Sequence, residues 1–173
     1  GRAPVMSAAT SDPTRATPTG PAIYLDADAC PVKDETYRVA ARYGLTVHVV
    51  ANSVLNLPRE PWIERVVVGS ELDAADDWIA ARAGPGSIVL TADVPLAARC
   101  VKAGATVLAF TGKPFSESGI GLALATRDLM QSLREAGTIT GGPKPFSRAD
   151  RSAFLSALDR AVNRILRDRP KPG

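Results

Sequence analysis

Aspartates recur in this sequence at positions and spacings that suit metal-dependent chemistry. Two of them directly follow one short apolar run, and another follows a second run. A further group opens a segment with helical spacing, in which residues three and four apart share one face. The full set is Asp26, Asp28, Asp73, Asp76, Asp77 and Asp93. Carboxylate oxygens are the ligands that Mg²⁺ and Mn²⁺ prefer, and such ions support phosphodiester hydrolysis.

We predict that all six aspartates are ligands of a divalent cation. Five of them are also expected to be catalytic, namely Asp26, Asp28, Asp73, Asp77 and Asp93. The prediction depends on the elements that must bring them together, because the six positions span most of the first hundred residues.

Strands and helices alternate in the pattern of apolar residues. Apolar runs predict strands at residues 22–25, 45–50, 65–68, 87–90 and 106–110, and helices are predicted at residues 31–43, 73–83, 95–103, 120–136 and 148–167. Apolar strands that alternate with helices are typical of a parallel sheet covered on both faces. The expected fold is an α/β three-layer sandwich with a mostly parallel central sheet of about five strands, followed by C-terminal helices.

The carboxyl ends of the predicted strands are where the acids fall. Ligands bind at that edge in an open parallel sheet. Carboxylates that meet there raise one another's pKa and oppose folding, and a divalent cation would offset this repulsion. A plainer interpretation exists for each of them, because Asp is a preferred helix N-cap and is favoured in first helical turns.

Five other polar residues are candidates for binding a substrate. They are Lys33, Asn52, Ser53, Thr91 and Lys144. Lys33 could neutralise the acids or contact phosphate, and Asn52 and Ser53 follow the second strand. Lys144 lies in a Gly/Pro-rich stretch whose backbone N–H groups could cradle phosphate or simply join two helices.

The composition of the whole chain fits a single soluble domain. Its 173 residues are 45% hydrophobic and 23% charged, which are ordinary values for a globular protein. We expect a disordered tail at residues 1–20, one domain at residues 21–168 and a frayed end at residues 169–173. No run of 18 apolar residues occurs, so no membrane span is expected.

Cysteine, histidine and net charge narrow the classes of function. The two cysteines form no CxxC pair, and only one histidine is present, so a Cys/His zinc site is not expected. A reduced, cytoplasmic setting is the simplest interpretation. The net charge of +3 permits nucleic-acid binding without requiring it.

Five blocks of sequence resemble the YaiI/YqxD family of bacterial proteins. They are residues 26–35 (DADACPVKDE), 50–52 (VAN), 73–79 (DAADDWI), 90–98 (LTADVPLAA) and 140–146 (TGGPKPF). Together they extend over nearly all of the expected domain. That family is in turn similar to PIN-like domains, which are α/β nucleases.

The likeness to PIN-like domains implies a mechanism and a substrate class. It implies that acids at the strand ends hold Mg²⁺ or Mn²⁺ and that single-stranded or structured RNA is cut. Asp26 matches the acid of the first strand, and Asp73 or Asp77 matches an acid in the middle of the chain. Asp93 matches the acid of a later Thr-x-Asp block.

Two other functions stay open at the level of sequence. Residues 23–28 also resemble the opening strand of haloacid dehalogenase-type phosphatases, in which Asp26 would be the nucleophile and Asp28 the acid/base. No later lysine block and no Gly-Asp-x-x-x-Asp block accompany that strand. Alternatively, the acids hold an ion or a partner without catalysis. No pattern indicates an oligomeric state.

Overall fold

The computed structural model describes residues 21–71, 73–137 and 146–168. Its strands are β1 (Ala22–Asp26), β2 (Val47–Ala51), β3 (Ile63–Val67), β4 (Ser87–Leu90), β5 (Thr106–Leu108) and β6 (Pro114–Phe115). Its helices are α1 (Lys33–Tyr43), α2 (Ala74–Arg82), α3 (Val94–Lys102), α4 (Glu117–Glu135) and α5 (Arg148–Asp168). The predicted tails, residues 1–20 and 169–173, lie outside the described residues.

One mixed sheet organises the described chain. Its order is β3-β2-β1-β4-β5-β6, and every pairing is parallel except that of β5 with β6. The strand order reverses between β1 and β4. The chain adds β2 and β3 on one side of β1 and then returns to add β4 and β5 on the other side. The carboxyl ends of β1, β2 and β4 therefore meet at one edge, at the point where ligands bind in open α/β sheets.

Each face of the sheet is covered by its own apolar cluster. Side chains alternate along β1, so Ile23 and Leu25 face one cluster and Tyr24 faces the other. The first cluster includes residues of α1 and α5, among them Val39 and Phe154. The second includes residues of α2 and α3, and α4 packs at its margin. The three-layer α/β architecture predicted from the sequence is confirmed.

The structure differs from the sequence-based prediction in local details. Strand β6 was not predicted, because it has two residues and begins with a proline. The first helix begins at Lys33, two positions after the predicted start at Pro31, and ends before Gly44, whose left-handed backbone (φ 67°) closes it as expected. Among the described residues, no helix has the length and apolar character needed to cross a membrane.

Gly112 is where the turn after β5 contacts α5. Its φ is +89°, and a Cβ there would lie 2.7 Å from the carbonyl oxygen of Ala153. We predict that Gly112→Ala lowers the free energy of unfolding by about 2–4 kcal/mol, which combines left-handed strain with overpacking. Gly44→Ala is the control, since Gly44 has a similar φ but open space around it. Equal losses in urea denaturation of the two variants would contradict the close approach to α5.

Candidate functional site

An open pocket of about 440 Å³ lies at the carboxyl edge of the sheet. We name it the acidic pocket, after the polar residues that line it: Asp26, Asp28, Asn52, Glu71, Asp73, Asp76 and Asp93. No lysine, arginine or histidine is among its described lining residues. Five of the six predicted aspartates therefore converge on one pocket, from the ends of β1 and β4 and from the start of α2.

A single buried hydroxyl joins the acids of β1 and β4. The Oγ1 of Thr91, a fully buried residue, donates a hydrogen bond of 2.7 Å to Oδ2 of Asp26. The same oxygen accepts a bond of 3.0 Å from the backbone N–H of Asp93. Thr91 was predicted to bind substrate, and in the structure it positions two acids. Because it is buried, its contribution is to fix their spacing.

Asp93 caps a helix and also lines the acidic pocket. Its Oδ1 accepts a hydrogen bond of 3.0 Å from the N–H of Leu96 and so caps the N-terminus of α3. Its carboxylate also lines the acidic pocket. The cap fixes one oxygen and leaves Oδ2 without a hydrogen bond to any described residue.

The three aspartates at the start of α2 separate in the structure. Asp73 occupies the N-cap position, but its side chain accepts no capping hydrogen bond. Asp76 faces the acidic pocket. Asp77 does not line it, because its Oδ1 accepts a bond of 2.8 Å from Nη1 of Arg99 on α3. The structure thus brings Asp73 and Asp76 to the site and places Asp77 outside it.

Backbone strain is concentrated at the acidic pocket. Among the described residues other than glycine, positive φ values occur at Ala29 (63°) and Asp73 (66°), and both line the pocket. Left-handed backbone costs about 1–2 kcal/mol for such residues, and residues of this kind cluster at functional sites. Ala29 belongs to the loop that carries Asp28, whose Oδ2 accepts a hydrogen bond of 3.2 Å from the N–H of Asn52.

Burial and mutual repulsion shift the pKa values of two acids upward. Burial raises the pKa of Asp26, and the charges of Asp93 and Asp28 add to this, against the hydrogen bond from Thr91. Burial likewise raises the pKa of Asp76 to about 6, with further contributions from Asp93, Asp26 and Asp73. The acids are therefore close enough to oppose one another's ionisation.

The donor set fits a hard cation in its chemistry. Among the described residues that line the acidic pocket, the charged groups are all carboxylates, the ligand type of Mg²⁺ and Mn²⁺. Within the described part of the chain, no three or more Asp, Glu, Cys or His side chains lie together closely enough to hold a metal ion by themselves. Mg²⁺ is usually held by one or two carboxylates and retained waters, so a pair of carboxylates matches its needs.

The other predicted binding residues are dispersed. Asn52 lines the acidic pocket, whereas Lys33 and Ser53 do not. The Nζ of Lys33 donates a hydrogen bond of 3.0 Å to the carbonyl of Cys30. Lys144 lies outside the described residues, with most of its stretch.

Glu71 and Phe110 are among the residues of the acidic pocket that the sequence did not single out. Glu71 lies in the loop before α2, and Phe110 follows β5. The sequence offered a signal for Glu71, since it stands two positions before Asp73 in an acidic stretch. For Phe110 there was none, because an apolar residue beyond a strand does not show which surface it reaches.

Comparison with known proteins identifies relatives over most of the chain. Residues 24–164 match the family described as "Uncharacterized BCR, YaiI/YqxD family". A UPF0178 protein of Rhodopseudomonas palustris strain HaA2 is 64% identical over 159 residues, which cover 92% of this chain and 96% of the relative.

Other similar relatives come from related bacteria. A UPF0178 protein of Nitrobacter winogradskyi is 61% identical, over 84% of this chain and 92% of the relative. The UPF0178 protein bll3966 of Bradyrhizobium diazoefficiens is 59% identical, over 88% and 92%. No solved structure matches significantly. The extent of the family match and the high identities show that the chain belongs to the YaiI/YqxD family.

Proposed function

We propose that the acidic pocket holds a divalent cation, Mg²⁺ or Mn²⁺, and hydrolyses phosphodiester bonds in nucleic acid, most readily RNA. The observation that carries the proposal is the convergence of five aspartates at the carboxyl edge of the sheet, in a pocket with no described basic side chain. Such a set of acids is costly for the fold without a counter-charge. The likeness of the sequence to PIN-like nucleases supports the same function.

Asp26 and Asp93 are the residues that would hold the cation. The hydroxyl of Thr91 bonds the carboxylate of Asp26 and the backbone N–H of Asp93, which fixes the end of β1 relative to the loop that follows β4. A bound Mg²⁺ or Mn²⁺ supplies a Lewis acid that polarises a phosphoryl oxygen and activates water. Asp76 lines the same pocket, close enough to Asp93 and Asp26 for their charges to raise its pKa, and its carboxylate is therefore placed to accept a proton from water.

Cleavage of labelled single-stranded and structured RNA and DNA tests the proposal. Wild type and Asp26→Asn are compared in Mg²⁺, Mn²⁺ or EDTA. We expect cleavage that needs the cation and falls by at least about 100-fold in the variant, the order seen when one group that stabilises a transition state electrostatically is removed. Asp168→Asn is the control, because Asp168 is an exposed acid at the end of α5, beside the amino ends of the strands and away from the acidic pocket.

The outcomes separate the proposed nuclease from the two other functions. Cation binding without cleavage of any substrate would contradict the nuclease and favour a binding module. A phospho-aspartate trapped at Asp26 would instead indicate a phosphatase of the haloacid dehalogenase type. Equal cleavage by wild type and Asp26→Asn would place the chemistry elsewhere.

A further inference from the structure

A second concave surface begins, like the acidic pocket, at the carboxyl end of β5. It is a groove of about 600 Å³ between the turn after β5, β6 and the first half of α4. We name it the basic groove, after its charged residues, and its lining includes Ala109, Lys113, Phe115, Leu122 and Arg127. Its volume falls within the usual range for ligand sites, about 300–1,000 Å³.

Two consecutive residues after β5 line the two surfaces. Ala109 lines the basic groove, and Phe110 lines the acidic pocket. The N–H of Ala109 donates a hydrogen bond of 2.8 Å to the carbonyl of Lys113, which holds Lys113 beside the strand end. Both surfaces therefore reach the carboxyl end of β5.

The two surfaces carry charges of opposite sign. The charged residues among the described lining of the basic groove are Lys113 and Arg127, both cations. Arg127 contacts Asp128 at 3.3 Å, and both side chains are more than half exposed, so this pair contributes little and leaves Arg127 available. Because the acidic pocket repels phosphates, a phosphodiester chain needs cations nearby to bind, and this groove supplies two.

The apolar part of the basic groove suits nucleotide bases. Leu122 is 74% exposed, and no residue of α4 is fully buried. Phe115 is half-buried in the groove wall. Single strands are bound without sequence preference when bases stack on aromatic side chains in a positively charged groove, and Phe115 is such a side chain here.

We propose that the basic groove binds a single-stranded segment of the nucleic acid whose phosphodiester bond is cut in the acidic pocket. Lys113 and Arg127 contact backbone phosphates, and Phe115 and Leu122 contact bases. The inference rests on the proposed function, because it assigns the groove to the segment of nucleic acid next to the bond that is cut in the acidic pocket.

Binding of a fluorescently labelled single-stranded RNA tests the assignment, with the intact protein in EDTA so that nothing is cut. Lys113→Ala/Arg127→Ala is expected to bind more weakly, and the slope of log K against log salt should fall by about 0.7 for each phosphate that the variant no longer neutralises. The control is Lys102→Ala/Arg160→Ala, which removes the same charge at two exposed positions outside the groove. Melting curves verify that both variants fold.

Each outcome decides the inference independently of the nuclease proposal. Weaker binding confined to the groove variant supports it, even if no cleavage is ever seen. Equal weakening in both double variants, or no binding by wild type, overturns it. Unchanged RNA binding by Lys113→Ala/Arg127→Ala also overturns it. If the wild type is in addition a dimer that Leu122→Glu converts to monomer, the groove is an interface between two copies. Cleavage whose KM is unchanged in the groove variant would leave the nuclease standing without this site.

Discussion

Asp93→Asn is expected to abolish cation-dependent cleavage, with a decrease of at least about 100-fold, while the protein stays folded. Asn is as good an N-cap as Asp, so its side-chain oxygen can still accept from the N–H of Leu96, which now bonds Oδ1 of Asp93. The backbone N–H at this position still donates to Thr91. The substitution therefore removes the charge and keeps the positioning, and cleavage rates in Mn²⁺ measure the charge alone.

Asp93→Ala serves as the matched comparison for the cap. It should lose cleavage to the same extent and, in addition, about 1 kcal/mol of unfolding free energy, the usual cost of removing an N-cap. If Asp93→Asn cleaves at the rate of wild type, Asp93 is excluded as a ligand of the cation. A large decrease in stability of the Asn variant would show that the cap needs the carboxylate.

Asp76→Asn should stabilise the cation-free protein at neutral pH and leave its stability in acid nearly unchanged. Burial and the charges of Asp93, Asp26 and Asp73 raise the pKa of Asp76 from 3.8 to about 6, against a lowering effect of Arg99. A raised pKa in the folded state means that the protonated form stabilises the fold. That contribution is complete below 3.8 and is lost as the pH rises through about 6.

Urea denaturation across this pH range measures the effect of Asp76→Asn. An asparagine cannot ionise, so the gain of the variant over wild type should grow between about pH 4 and neutrality, to about 1 kcal/mol after discounting for solvent screening. Added Mg²⁺ should reduce the gain, because a cation beside Asp76 favours its ionised form and therefore binds wild type more tightly than the variant. Asp77→Asn is the control, and its effect should stay within about 0.5 kcal/mol. The same pH-dependent gain in Asp77→Asn would contradict the placement of Asp76.

The convergence of the acids was predictable because it depends on strand order and strand ends. Unbroken apolar runs located β1 and β4, and an aspartate ends or follows each one. Parallel strands place their carboxyl ends together, so Asp26 and Asp93 could be assigned to one site without knowing any side-chain contact. Gly44 likewise marked the end of α1 through its left-handed backbone.

The side-chain contacts that decide the geometry of the site could not be predicted from the sequence in the same way. Helical spacing places positions 73, 76 and 77 on one face, yet Asp77 bonds Arg99 of a different helix. That partner is a tertiary contact, and no local pattern encodes it. The double hydrogen bond of Thr91 depends on the register between β1 and β4. The basic groove depends on β6, a two-residue strand that begins with proline and gives no periodic signal.

Binding of Mn²⁺ to the purified protein is the measurement that tests the central claim most directly. Calorimetric titration at neutral pH compares wild type with Asp26→Asn, whose side chain keeps the shape of the original and loses its charge. We predict that wild type binds Mn²⁺ at a discrete site and that Asp26→Asn binds it at least about 10-fold more weakly, since the loss of even an outer-shell partner of a metal ligand costs about 10–100-fold. Absence of Mn²⁺ binding to wild type, or equal binding by both proteins, would contradict the assignment of the acidic pocket as a cation site.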